Sequence, residues 1–168
     1  MVYTFSEIEK ARAIINGYGT RRLLKVLKGG QLEAQQFETP EVRSIFLLTG
    51  MLREHQDCLG VSVLERFKDF NPPIVLEEIE RTIKRGKPMV TNSLLPYNAN
   101  ANQVLCSMVD YAQRLGTEHI GTEHLVYGLT VVEKSGASKE LCQRGIVSRE
   151  LDNKIRRYFR QPPVVANR

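Results

Sequence analysis

The chain has 168 residues, 42% of them hydrophobic, and a formal net charge of +5. That length fits one compact domain or two small halves sharing a core, and no segment reaches the roughly 18 unbroken apolar residues of a membrane span. The N-terminal run Met1-Val2-Tyr3-Thr4-Phe5-Ser6-Glu7 lacks a basic and then apolar stretch, so no secretory signal is read and a cytoplasmic protein is expected, or a plastid stromal one for a processed organellar chain.

Ser6 and Glu9 have capping-box spacing and predict a short first helix that ends at Asn16-Gly17, making residues 1–19 a helical extension. Val26 and Leu27 begin the next apolar run. Gly29-Gly30 interrupts it, each glycine costing about 1 kcal/mol against alanine in a helix interior, which predicts a broken or shortened helix. Thr39-Pro40-Glu41 carries cap chemistry and is expected to open the helix through Leu47, Leu48 and Met51. After the turn at Asn71-Pro72-Pro73, Val75, Ile79 and Ile83 recur by fours. The polar connector from Arg85 to Ala101, rich in Asn and Pro, then divides the chain into halves of similar size.

Periodicity is clearest in the second half. Val104, Leu105, Met108, Ala112 and Leu115 form one face of an amphipathic helix. Thr122 is the expected N-cap of a helix through Leu125, Val126 and Leu129. Another covers Ser138 to Gln143, and a last one starts near Ser148 and buries Leu151, Ile155, Tyr158 and Phe159. The segment 161–168 contains Pro162-Pro163 and reads as a tail or the start of a linker. Strand alternation is almost absent, so the class is all-α.

At an offset of 78 positions the halves superimpose without a gap. Val26 and Leu27 meet Val104 and Leu105, Ala34 and Gln35 meet Ala112 and Gln113, and Leu47, Leu48 and Gly50 meet Leu125, Val126 and Gly128. The chain is thus expected to be a pseudo-twofold tandem repeat of a motif of about four helices, with repeat one at 20–85, a linker at 86–100 and repeat two at 101–160. Neither half alone buries enough surface, so their apolar faces should pack together.

The second half also carries a recognisable signature. Residues 112–129, AQRLGTEHIGTEHLVYGL, resemble the "EARRLGHNYIGTEHLLLGL" run of the Clp N-terminal domain. That domain is the double helical repeat at the front of the Hsp100 unfoldases ClpA, ClpB and ClpC. Residues 136–146, GASKELCQRGI, resemble the family's "GVAARVLENLGV", and residues 47–54, LLTGMLRE, resemble "LLLGLLRE". The resemblance implies a non-catalytic interaction module of the Clp chaperone–protease system. Its expected partners are adaptors, substrate polypeptides, Clp ATPases or ClpP-type protease subunits, met through the groove between repeats. The chain has no G-x-x-x-x-G-K-[ST] phosphate loop, implies no cofactor, and is expected to be either the N domain of a larger unfoldase or a stand-alone accessory protein of the plastid ClpT type.

Candidate site residues cluster at Gly121-Thr122-Glu123-His124. A helix start explains them by itself, with Thr122 as cap and Glu123 at the positive end of the dipole. The resemblance adds a ligand reading: in ClpC-type relatives the equivalent Glu binds the guanidinium of phosphoarginine on tagged substrates, so Thr122 and Glu123 are the candidate binding residues. Repeat one has Ser44, Ile45 and Phe46 at the matching positions and lacks the acid, so a symmetric two-site receptor is not expected. Other readings carry less. His119 and His124 need not share a face, and no ligand pattern accompanies them, so no metal site is expected. Cys142 with His124 lacks a third orienting group for a hydrolase. The three cysteines, odd in number and without C-x-x-C spacing, read as reduced core thiols. Gly17-Tyr18-Gly19-Thr20 follows no strand and is a weak phosphate cradle. The basic run Lys154 to Arg160 is the footprint a nucleic-acid-binding regulator would use, but it reads first as a solvated helix face.

Overall fold

The computed structural model describes residues 3–87 and 93–160; the expected tail at 161–168 and part of the expected linker, 88–92, lie outside the described residues. Among the described residues there are nine helices: α1 (Phe5–Tyr18), α2 (Arg21–Gln36), α3 (Ser44–Arg53), α4 (Leu59–Leu64), α5 (Pro72–Thr82), α6 (Ala99–Leu115), α7 (Thr122–Val131), α8 (Gly136–Gln143) and α9 (Ser148–Arg160). The all-α class is the one expected. α2 through α5 recur in order as α6 through α9, and the starts of α2 and α6, and of α3 and α7, are 78 residues apart.

Each repeat is built on a close crossing of its first two helices. A Cβ on Gly50 of α3 would lie 2.6 Å from the Gly30 amide nitrogen and 3.0 Å from the Val26 carbonyl oxygen of α2. Gly128 of α7 would meet the Val104 carbonyl oxygen of α6 at 2.6 Å. Gly50 and Gly128, like Val26 and Val104, are matched by the repeat. This crossing corrects the expected break at Gly29-Gly30, because α2 runs unbroken through both. The glycines weaken the helix locally, but they let the α3 backbone approach, and the packing gained there outweighs propensity.

The repeats are joined by two isolated parallel bridges that obey the same offset. The residues leading into α2 pair with repeat two: Thr20 N–H donates to the Ile120 carbonyl (2.9 Å) and Ile120 N–H to the Tyr18 carbonyl (3.0 Å). The residues leading into α6 pair with repeat one in the same way, with Asn98 N–H donating to Val42 (3.0 Å) and Val42 N–H to Pro96 (2.8 Å). Each repeat therefore lends its leading segment to the other. α3 packs on α8 and α4 on α7 across the same seam.

Three local expectations are corrected. α1 is capped by Thr4 with Glu7, not by Ser6 with Glu9: Glu7 N–H donates to Thr4 Oγ1 (3.3 Å) and Thr4 N–H to Glu7 Oε2 (2.6 Å). Glu9 instead pairs with Arg12 at 2.9 Å. α1 also continues through Asn16-Gly17 to Tyr18. Second, α3 starts at Ser44, in register with α7, and not at Thr39. The Thr39 hydroxyl donates to the Ala34 carbonyl (3.0 Å) and fastens the loop, as Thr117 does to Ala112 (3.2 Å) in the second repeat. Third, Leu151 and Ile155 of α9 are buried as expected, but Tyr158 is only half-buried and Phe159 is 42% exposed.

The crossing makes a signed prediction. Gly50→Ala and Gly128→Ala should each destabilise the domain by about 1–3 kcal/mol through backbone overlap. Gly17→Ala, with nothing within 4 Å of the added Cβ, should be neutral or stabilising by up to about 1 kcal/mol. Chemical denaturation of the three variants tests it, and equal effects at Gly17 and Gly50 would be incompatible with the crossing.

Candidate functional site

The predicted residues of the second repeat come together at the start of α7, but in roles other than those expected. Gly121 is the N-cap, and Thr122 is the first helical residue. Thr122 is 2% exposed and turns its hydroxyl across the seam, where its Oγ1 accepts from Gly60 N–H at 2.9 Å. Ser44, its counterpart at the start of α3, accepts from Ala137 N–H at 3.3 Å. The two hydroxyls at 44 and 122 thus each satisfy an amide in the first turn of the other repeat's short helix, groups that a helix cannot satisfy by itself. Cys58 lies just ahead of α4, and burial pushes its thiol upward while a hydrogen bond with Thr122 works against the shift.

His124, three residues into the turn, supplies the back-reaching half of a capping box in place of an N-cap hydroxyl. Its ring is fully buried; Nδ1 accepts from Gly121 N–H (2.9 Å), and Nε2 lies 3.1 Å from Thr117 Oγ1. With the Thr117 hydroxyl donating to Ala112, the neutral tautomer carrying its proton on Nε2 satisfies every group in the chain. Glu123 is 7% exposed and folds back over Gly121, its Oε1 3.0 Å from the same His124 Nδ1. The Gly121 amide and the Glu123 carboxylate therefore both lie within reach of one ring nitrogen.

Polar clasps bind the last helix of each repeat to the pair before it. In repeat one, buried Glu33 of α2 pairs with Arg53 of α3, which also reaches Glu80 of α5. In repeat two the position matching Glu33 is Tyr111, whose hydroxyl donates to Asp152 of α9 at 2.6 Å, while Arg156 Nε donates to the same carboxylate at 2.9 Å. Tyr111 stacks on Tyr127 with centroids 3.7 Å apart, and Arg114 lies over both rings. Burial, and then Asp152, pushes the Tyr111 phenol well above its ordinary range. Burial alone would raise the Asp152 carboxyl too, but the hydrogen bonds from Tyr111 and Arg156 outweigh it and hold it below the ordinary carboxylate range.

A groove of about 530 Å³ runs along α2 between the repeats, walled by α1 and by residues 94–97. Leu27 and Leu105, one from each repeat and matched by the offset, lie in its floor. Leu24 and Leu94 stand at its lips, 39% and 79% exposed, and Arg12 and Lys28 supply positive charge. Buried Gln31 holds the outer wall in place, exchanging two hydrogen bonds with the Leu95 backbone at 2.9 and 3.1 Å. Sequence reasoning passed over this wall because it lies in the connector; the apolar pair Leu94-Leu95 within a polar stretch was the available signal.

The remaining candidates disperse. Cys58 and Cys106 are buried as expected, whereas Cys142 is exposed on α8, because the buried faces of that helix are taken by Ala137 and Leu141. His124 spends both ring nitrogens on Gly121 and Thr117 and not on a thiol. His119 is exposed, and no group of three or more His, Cys, Asp or Glu residues able to hold a metal occurs among the described residues. Gly17 to Thr20 forms the end of α1 and the lead into α2, with Thr20 capping α2 by accepting from Leu23 N–H (3.2 Å). In the basic run, Lys154 donates to the Arg66 carbonyl and Arg156 is held by Asp152. No helix among the described residues is long and apolar enough to cross a membrane.

The lowered Asp152 carboxyl fixes the sign of an acid dependence. Its stability contribution is complete above the unfolded-state pKa of about 3.9 and is lost as pH falls through the lower folded-state value. Thermal melts from pH 7 to 2 should show an acid loss in the wild type that is reduced in Asp152→Asn. Parallel curves for the two proteins would refute the clasp's ionic character.

Comparison with known proteins agrees with the fold. A 110-residue match to the ATP-dependent Clp protease ATP-binding subunit ClpC of Staphylococcus aureus (strain USA300) is 32% identical and covers 66% of this chain, which spans only 13% of that protein's length. The N-terminal domain of the chaperone ClpD from Arabidopsis thaliana superimposes with a TM-score of 0.64 at 18% identity, over 86% of this chain and 96% of that one. The N-domain of ClpV from Vibrio cholerae gives 0.68 at 14% identity, over 89% and 87%. Residues 19–143 match the Clp repeat (R) N-terminal domain family, and the chain belongs to that family.

Proposed function

We propose that this chain is a non-catalytic protein-interaction domain of the Clp chaperone–protease system, and that it captures a polypeptide segment in the α2 groove. The observation that carries the reading is the groove itself. It has an apolar floor drawn from both repeats, an exposed leucine at each lip, and a wall fixed by Gln31, so the surface is preformed and does not need to be assembled on binding. An apolar surface lined by Leu24, Leu94 and Leu27 and rimmed by Arg12 and Lys28 suits an apolar segment carrying acidic flanks. Adaptors, substrate polypeptides and Clp subunits are the proposed sources of that segment. The family match and the fold support this assignment.

Thr122 and Glu123 remain the proposed contacts for a phosphoarginine tag, with a defined requirement. The Glu123 carboxylate must swing away from Gly121 before it can pair with a guanidinium, because its side chain is only 9% exposed where it lies. Thr122 then contributes by anchoring the first turn of α7 to Gly60.

Affinity capture from an extract of the source cell tests both parts. The wild-type chain should retain a Clp ATPase, ClpP-type subunit or adaptor, and Leu94→Asp, at an exposed position that leaves the core untouched, should weaken capture roughly tenfold or more. Recovery of no Clp-system protein, or equal recovery by Leu94→Asp, would overturn the groove reading. Separately, a phosphoarginine peptide should lose its binding to Glu123→Ala; unchanged binding would remove Glu123 from the site.

A further inference from the structure

α1 and the α2 groove occupy related places. At the repeat offset, Leu24, Lys28 and Gln31 of the open α2 face correspond to Asn102, Cys106 and Val109 of α6. On α6 that face is covered, and the element covering it is α1. The groove on one repeat is therefore open, and its pseudo-symmetric counterpart on the other already holds an amphipathic helix.

The fit of α1 is that of a docked helix more than a core element. Of its 14 residues only Ala11 and Ile15 are buried, with Ile8 and Ile14 half-buried against the core. Phe5 stands 78% exposed. A cavity of about 230 Å³ runs beneath one flank, lined by Ile14, Lys10 and Cys106 among others, and the 530 Å³ groove opens along the other. Polar ties hold it and the residue leading into it to α6: Tyr3 hydroxyl donates to Asp110 at 2.7 Å and lies 3.5 Å from Ser107 Oγ, and Arg12 donates to Asn102 at 3.0 Å. Few buried apolar contacts and flanking voids are the features of an element that opens locally before the domain unfolds.

We propose that the α6 face beneath α1 is a second, masked docking groove, with α1 as its resident occupant, and that on release of α1 it accepts an amphipathic helix with apolar residues spaced as Ile8, Ala11 and Ile15. The chemistry of the occupant is taken from the one already seated there. Arg12, Ile15 and Asn16 of α1 also wall the open groove, so a ligand in that groove clamps α1 and closes the masked one. The masked groove does not depend on which segment fills the open one.

Cys106 reports the state of α1. It is 2% exposed beneath the helix, and burial, with Asp110 and Glu7 adding to it, raises its thiol to about 11, so it alkylates slowly while α1 is docked. Cys58, fully buried ahead of α4, reports opening of the whole domain. In the full chain carrying Cys142→Ser, maleimide labelling followed by mass spectrometry should modify Cys106 roughly tenfold or more faster than Cys58. Ala11→Glu, and more mildly Tyr3→Phe, should accelerate Cys106 further and leave Cys58 unchanged. A synthetic peptide spanning residues 3–18, added to the Ala11→Glu protein, should restore protection of Cys106. Equal labelling of the two cysteines, or a parallel rise of both in Ala11→Glu and in Tyr3→Phe, would make α1 an integral part of the core and overturn the proposal. Failure of the peptide to protect Cys106 would overturn the groove.

Discussion

The structure depends on a reciprocal exchange. Each repeat's leading segment pairs with the loop before the other repeat's second helix, through Thr20 and Tyr18 with Ile120, and Asn98 and Pro96 with Val42. Backbone amides in such loops are costly to bury without partners, and here the partner is always in the other copy. The same logic recurs one turn further in, where Ser44 and Thr122 accept from Ala137 and Gly60. The apolar cores of the two repeats are continuous because these bonds fix their separation and angle, and the groove floor formed by Leu27 and Leu105 is a direct product of that alignment.

Within this symmetric frame the two copies solve the same problem with different chemistry. Each must fasten a marginal last helix to its first pair. Repeat one uses the buried Glu33 with Arg53, which also reaches Glu80, and repeat two uses Tyr111 with Asp152 and Arg156. A buried carboxylate requires a cation close at hand, whereas a phenol carries most of its bulk as apolar surface and needs one acceptor. The tyrosine therefore also packs against Tyr127 and, edge-on, His124. The second repeat gains an aromatic cluster at the place where the first has an ionic one.

What could be read from sequence was whatever is encoded locally. The starts of α7 and α9, the offset of 78 that relates α2 and α3 to α6 and α7, and the burial of Val104, Leu105, Met108 and Ala112 all follow from periodicity and turn chemistry, which are properties of neighbouring residues; the offset narrows to 77 at α4 and α8 and to 76 at α5 and α9, and α8 begins at Gly136, two residues before the expected Ser138. The misreadings concern partners distant in the chain. Gly29-Gly30 reads as a helix break until Gly50 is known to lie against it. Ser6-Glu9 and Thr4-Glu7 both have capping-box spacing, and spacing alone does not select the Thr4-Glu7 pair that forms. Thr122 reads as a cap because Gly60, its actual partner, is 62 residues away. The candidate site was legible as a location, the start of α7, but not as a geometry, since the backfolded Glu123 carboxylate and the cap supplied by His124 depend on side-chain placement that periodicity does not carry. The groove was missed as a set of residues because its outer wall is an aperiodic stretch held by Gln31.

The paired bridges carry an implication about origin. Bonds that run from copy one to copy two and back by the same rule are those of an isologous contact, the kind a twofold homodimer makes. A single ancestral repeat would have left its leading segment and its second-helix loop unpaired, and pairing with an identical chain would have satisfied both. Joining two such chains end to end would remove the concentration dependence of that association and, more consequentially, the requirement that both halves stay the same. In a dimer of identical chains, a helix laid across one α2-type face must also lie across the other. In the single chain one face carries α1 and the other is open, an asymmetry that a dimer of identical chains could not hold.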